Sequence, residues 1–279
     1  MKEIVKFIKE GLKITSKTNV DKYTYRPKTK RELQDLIKQL IEERGNEGDF
    51  NDIDVSKITD MSELFKGMKK FNGNISKWDV SNVQYMISMF FECESFNRPL
   101  NNWDVSNVKY TPGMFYRCKS FNQPLNNWDV SNVTNIRHMF YECKSFNRDI
   151  SNWDVSNVKD MTYMFYGCES FNQPLNKWNV SNVTDMSFMF SMCKLFNQNI
   201  SNWDVSNVTN MMSIFYGCES FNQPLNKWDM SNVINTKFMF FGCKSFNRDI
   251  SQWDVSKVIR KEYMFEHCLI EEKYKPKFK

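Results

Sequence analysis

The chain has 279 residues, 41% hydrophobic and 25% charged, which is enough apolar content for a continuous core and too much for a disordered tail. It has no run of about 18 apolar residues to span a membrane, and the opening MKEIVKFIKEGLKI is broken by lysines and glutamates too often to be a secretory h-region. Net charge is +5 and uneven: residues 1–31 carry ten Lys/Arg against three Asp/Glu, residues 257–279 carry seven against four, and the body between is −5, which argues against a nucleic-acid face along it.

Residues 1–49 read as a basic segment followed by a cap. Ile4, Val5, Ile8 and Leu12 predict a short helix over 3–13. Thr29-Lys30-Arg31-Glu32 is a capping box. Leu33, Leu36, Ile37, Leu40 and Ile41 then share one helical face, and Gly45 offers a stop, so a helix is expected over about 30–44, lying across the first repeat.

Residues 50–268 are repetitive. Eight tryptophans, Trp78, Trp103, Trp128, Trp153, Trp178, Trp203, Trp228 and Trp253, are each 25 residues apart. Eight cysteines keep the same period: Cys93, Cys118, Cys143, Cys168, Cys193, Cys218, Cys243 and Cys268. A period this long and strict predicts a solenoid, with one divergent unit at 50–68 followed by regular ones. In the unit FNRDISNWDVSNVKDMTYMFYGCES, residues 146–170, Trp153 and Val155 flank Asp154, the pattern of a minimal strand. Met161, Met164, Phe165 and Cys168 fall at i, i+3, i+4 and i+7, the pattern of a two-turn helix. The expected fold is therefore an α/β solenoid, a leucine-rich-repeat-like right-handed coil of strand plus short helix, with a parallel sheet on one face and an N-terminal capping helix. Asp60, Asn135, Asp160, Asp185, Asn210 and Asn235 stand where N-caps of those helices belong. The residue before each cysteine varies among Gly, Glu, Arg, Met and His, from which no need for positive φ is expected.

The polar columns carry the candidate sites. Asp79, Asp104, Asp129, Asp154, Asn179, Asp204, Asp229 and Asp254 alternate with buried residues, with Ser81, Ser106, Ser131 and Ser156 two positions on. These define the candidate binding face. Stacked carboxylates repel, so they need either backbone N–H groups of their own turn or calcium between turns. Asn72 and Asn82 begin two further columns that read as asparagine ladders satisfying turn backbone. The tryptophans and cysteines read as structural core, the thiols buried and free, since Met68 takes the cysteine position in the first unit. Tyr85, Tyr110, Tyr116, Tyr141, Tyr166 and Tyr216 are the aromatics expected outside the core. Residues 269–279 form a polar tail, and so thin a cap leaves room for a second copy of the chain.

The unit FNxxxxxWDVSNVxxMxxMFxxC, clearest at 146–168 and 171–193, resembles the repeat of the BspA-like leucine-rich-repeat family, found in mycoplasma-type surface lipoproteins and other host-associated bacteria. Residues 25–61 are similar to the capping region that precedes such repeats. The resemblance implies a surface or adhesion role for some relatives and brings no catalytic residue. No cofactor, no metal and no catalytic group is expected. The expected function is a non-catalytic protein-interaction or scaffold module, with a surface adhesin as the alternative and a calcium-stabilised solenoid behind it. With no export signal in these residues the expected location is the cytoplasm; a cell-surface location requires a signal that is missing from them or non-classical.

Overall fold

The computed structural model describes residues 22–278. The helix expected over 3–13 lies outside the described residues. The capping helix is present as α1, Lys30–Arg44. Thr29 Oγ1 accepts the Glu32 N–H at 3.2 Å, and the Glu32 carboxylate returns to the N–H of Lys28 at 2.7 Å, one residue earlier than the capping-box pattern places it. Gly45, at φ 76, turns the chain and donates to Ile41 O. Leu33, Ile37 and Leu40 are fully buried, and Leu36 and Ile41 pack half-buried beside them. Arg44 ties the end of α1 to Asp52 through a two-pronged ion pair of 2.8 and 3.0 Å.

Beyond the cap, the 25-residue units stack in register. Parallel bridges join Asp60 to Tyr85, Tyr85 to Tyr110, and so on through Asn135, Asp160, Asp185, Asn210 and Asn235 to Arg260. These bridges are isolated, and no strand or sheet forms among the described residues. Among the described residues, helix is confined to α1 and one 3₁₀ turn at Glu272–Tyr274. The expected α/β architecture with a parallel sheet is therefore corrected: each unit is a closed series of tight turns.

The physical reason lies in where the amides go. In residues 161–168, Met161, Tyr163, Phe165 and Gly167 donate to Asp185, Ser187, Met189 and Ser191 of the next unit at 2.8–3.2 Å. Met164, Tyr166 and Cys168 donate instead within their own unit, each to the carbonyl three residues back. A helix would have turned all of these bonds inward, but an eight-residue helix carries the full nucleation cost for few bonds. Alternation between the two directions also demands left-handed residues, which an α-helix excludes. Tyr163 (φ 57) and Gly167 (φ 68) supply them, as do Phe188 and Met192 one unit on. The residue before the cysteine thus has positive φ whether it is Gly167, Glu142 (φ 52), Arg117 (φ 56) or His267 (φ 56), contrary to the expectation from its variability. The spacing i, i+3, i+4, i+7 serves a string of tight turns as well as a helix, because both bury every third or fourth side chain.

The expected strand fails for a related reason. Trp153 and Val155 are buried and Asp154 is exposed, as alternation requires. The backbone there bonds locally: Trp153 N–H donates to Ile150 O, and Val158 N–H to Val155 O. The ladder runs instead through the column of Asp160. The six Asp and Asn residues of that column expected as N-caps each accept the amide two residues on, as Asp160 does from Thr162 at 2.9 Å and Asn235 from Lys237 at 3.1 Å. Tyr110 has no such acceptor, and the residue two on is Pro112, which has no N–H to satisfy.

The core is a set of stacked rings. Phe65, Phe90, Phe115, Phe140, Phe165 and Phe190 are fully buried, with successive centroids 5.3–5.7 Å apart. The tail also closes more of the stack than its polar composition suggests. Ile270 is buried, Tyr274 and Phe278 pack against the core, and Tyr274 O accepts the Ile250 N–H at 3.0 Å.

Gly217→Ala tests the left-handed positions. Its φ is 66 and an added Cβ would sit 2.7 Å from Met192 Sδ. The substitution should lower unfolding stability by about 1–2 kcal/mol, read as a fall in urea midpoint at unchanged slope. An unaltered midpoint would remove the claim that this position is strained for a side chain.

Candidate functional site

Three kinds of column run along the stack, and their chemistry differs. The Asp–Ser column is exposed and locally engaged. Ser106 donates both its N–H (3.1 Å) and its hydroxyl (2.6 Å) to Asp104 Oδ1. The same amide bond recurs from Ser81 to Asp79, Ser131 to Asp129, Ser156 to Asp154, Ser206 to Asp204, Ser231 to Asp229 and Ser256 to Asp254. Asn179 does the same for Ser181 with its amide oxygen, which explains how an uncharged residue fits the column. One carboxylate oxygen per unit is therefore committed to the fold. The Ser hydroxyl and then the Ser amide hold the carboxyls of Asp104, Asp154 and Asp229 below their ordinary range. No group of three or more His, Cys, Asp or Glu side chains arranged to hold a metal occurs among the described residues.

The asparagine columns bind unit to unit. Asn147 Oδ1 accepts the Asn172 N–H at 3.0 Å, a link that repeats from Asn72 to Asn247. Asn157 Nδ2 donates to Ser131 O at 2.8 Å in the second ladder, where Lys257 takes over at the far end by donating to Asn232 Oδ1.

Tryptophans and cysteines serve the same purpose from inside. All eight tryptophans are at most 5% exposed. Each indole N–H reaches a carbonyl 28 residues back, as Trp153 does to Leu125 O at 3.0 Å and Trp203 to Leu175 O at 3.0 Å. Cys168 Sγ donates to Phe140 O at 2.9 Å and Cys193 Sγ to Phe165 O at 2.9 Å. All the thiols are free; Cys93 through Cys243 are buried and Cys268 is half-buried. Burial pushes the thiols of Cys118, Cys143, Cys168, Cys193 and Cys218 far up, so no thiolate forms at neutral pH.

The third kind of column was only partly legible. Tyr85 and Tyr110 are 38% and 40% exposed and stacked at 5.6 Å, and Tyr116, Tyr141, Tyr166 and Tyr216 are half-buried, so all six tyrosines lie outside the core. They do not stand alone. Phe91, Tyr116, Tyr141 and Tyr166 stack at 4.4–4.6 Å along one column. Beside it, His138, Tyr163 and Phe188 stack at 4.8 and 4.4 Å. The two columns touch at tilted angles, as between Tyr163 and Tyr166 at 5.8 Å. Ser191 and Ser213 interrupt the band, which resumes with Tyr216–Phe241 at 4.9 Å and Phe238–Tyr263 at 5.2 Å. Burial, then the neighbouring Arg137 charge, lowers His138 to about 4, so its imidazole is neutral at pH 7. Arg117 bridges Glu92 and Glu142 at 3.0 and 2.9 Å beside the band and lies over the Tyr116 ring. The signal missed in the sequence was the pairing of positions 163 and 166: once residue 163 is left-handed, both side chains emerge on the same outer surface.

Three overlapping stretches of the chain, 34–141, 125–203 and 175–275, match the family described as "Mycoplasma protein of unknown function, DUF285". The chain belongs to that family. The match supports a mycoplasma-type repeat family and does not extend to the leucine-rich-repeat assignment expected from the motif. No curated protein and no solved structure matches the chain.

Two outcomes follow from this geometry. A small thiol reagent should modify at most one cysteine of the native protein, Cys268, and all eight after denaturation; rapid native labelling of several would contradict the buried column. Asp104→Asn should lose less stability at pH 7 than Asp104→Ala, because the amide oxygen accepts as Asn179 does without the carboxylate charge, whereas Asp104→Ala should lose about 1 kcal/mol. Because the carboxyl is lowered in the folded state, its stabilisation is present above the ordinary carboxylate pKa and is lost as pH falls through the lowered value. Thermal melts should therefore show the difference between Asp104 and Asp104→Ala shrinking below about pH 4.

Proposed function

We propose that the chain is a non-catalytic protein-binding module that meets its partner through the outer aromatic band. The observation that carries this reading is the band itself: stacked Tyr, Phe and His rings, half-exposed, run unit after unit on a surface that the core does not need. Exposed Tyr and Phe supply large contact area at small entropy cost, and such residues are enriched where proteins meet. The Asp–Ser face is the weaker candidate, because its carboxylates already serve their own turns. The likeness of the WDVSN unit to BspA-like repeats adds support for binding over catalysis. The surface ion pairs, such as Glu94 between Lys69 and Lys119, sit where they neutralise neighbouring units and add little energy.

The test compares three immobilised full-length proteins against lysate and surface extract of the source cell. These are the wild type, a Tyr141→Ser/Tyr166→Ser variant that copies the natural break at Ser191, and an Asp129→Asn/Asp154→Asn variant. The reading predicts a protein retained by the wild type and the Asp variant and lost, at least tenfold, by the Tyr variant. Equal retention by the Tyr variant, or retention no better than an unrelated bait, would sink it.

A further inference from the structure

The aromatic band has a gap, and the gap has a shape. The inner ring column holds Phe188, Tyr163 and His138, then Gly113 and Ser88 one and two units before. His138 is covered by Tyr163 on one side at 4.8 Å and 11°. The position one unit before it, on the other side, belongs to Gly113, which has no side chain. The outer column continues past this gap, with Phe91 and Tyr116 still stacked at 4.4 Å. The result is a surface hollow of about 290 Å³, floored by Gly113 and Ser88 and walled by Ile87, Phe91, Pro112, Tyr116 and His138.

The chain shows elsewhere what fits there. Tyr163 occupies the equivalent position two units on, packed between Tyr166 of its own unit (5.8 Å, 50°) and Tyr141 of the unit before (6.1 Å, 45°). At the gap those two neighbours are Tyr116 and Phe91. We propose that the Gly113 hollow receives one planar aromatic side chain, Phe or Tyr, from a partner protein, which stacks beneath His138 and completes the ring column. The volume is ample, since a cavity of about 150 Å³ accepts benzene. Ile87 in its wall is 37% exposed, and Tyr85 and Tyr110, each two residues before a wall residue, Ile87 and Pro112, are 38% and 40% exposed. That apolar rim suits a side chain arriving on a polypeptide, whereas a free aromatic compound would leave it uncovered. A neutral His138 presents an apolar ring face to the incoming group. This inference rests on the binding function proposed above and gives it a location.

The experiment titrates the full chain with p-cresol, with 4-methylcyclohexanol as the non-planar control, and follows the His138 imidazole protons by NMR. The expected result is a saturable upfield ring-current shift with a dissociation constant of about 1 mM, and a dissociation constant for the saturated alcohol, read from its competition with p-cresol, at least tenfold higher. Gly113→Tyr should abolish the p-cresol response by filling the hollow from within, since Tyr163 accepts the same left-handed backbone (φ 57 against 61 at Gly113). Gly113→Phe, copying Phe188 at the equivalent left-handed position (φ 59), provides a second filling variant should the first fail to fold. The peptide acetyl-Gly-Tyr-Gly-amide should bind at least as tightly as p-cresol. A non-saturating shift, equal affinity for both alcohols, an undiminished response in the filled variant, or exclusion of the peptide would each overturn the proposal. A Gly113→Tyr variant that captures the partner as well as the wild type does would overturn this inference alone, whereas a wild type that captures no protein would overturn the binding function and this inference with it.

Discussion

The N–H of Phe165 reaches past its own unit to the carbonyl of Met189, and the rest of the structure depends on that reach. Once every second amide in residues 161–168 points to the next unit, the units must follow one another in register. Every side chain then lies above its counterpart 25 residues earlier. Ring stacking, asparagine ladders, indole-to-carbonyl bonds and thiol-to-carbonyl bonds are all consequences of that register. Each is modest alone, with a net hydrogen bond contributing about 1 kcal/mol. Their number and repetition make the stack cooperative with its neighbours, and no buried side-chain nitrogen or oxygen among the described residues lacks a partner.

Much of this was legible in the sequence and some was not, for reasons that can be named. The period, the inward direction of Trp153 and Val155, and the helix from Thr29 to Gly45 follow from spacing and capping chemistry, which report directly on burial and backbone geometry. The asparagine at 179 already hinted that its column works through an oxygen acceptor. The conformation of 161–168 did not follow, because spacing of apolar residues reports which side chains are buried and is silent about where amides are donated. Left-handed backbone was hidden too. Glycine stands before the cysteine at 167, 217 and 242, but Glu142, Arg117 and Met192 accept the same φ because the next unit binds the chain there. A strained residue is tolerated when its surroundings leave no alternative.

The outer surface divides between order and opportunity. Asp–Ser pairs and Lys–Glu pairs repeat because every unit has the same turns to satisfy and the same charges to balance. The aromatic band repeats only in part. Gly113, Ser88 and Ser213 interrupt the inner column at left-handed positions whose backbone accepts a ring, as Tyr163 and Phe238 demonstrate, whereas Ser191 interrupts the outer column with a buried hydroxyl that donates to Ser213 O. Interruptions that the fold does not require are where one unit differs from the next, and so where a uniform stack acquires an address.

Amide hydrogen exchange, resolved by residue, tests the central claim most directly, because the last unit is an internal control. Tyr163, Phe165 and Gly167 donate across the unit boundary, whereas their counterparts Tyr263, Phe265 and His267 donate no hydrogen bond among the described residues. Met164, Tyr166 and Cys168 bond within their unit, as do Met264, Glu266 and Cys268. The account predicts strong protection at 163, 165 and 167 with fast exchange at 263, 265 and 267, while the within-unit amides are protected in both places. Equal protection of both sets in the last unit, as a helix over 261–268 would give, would contradict it.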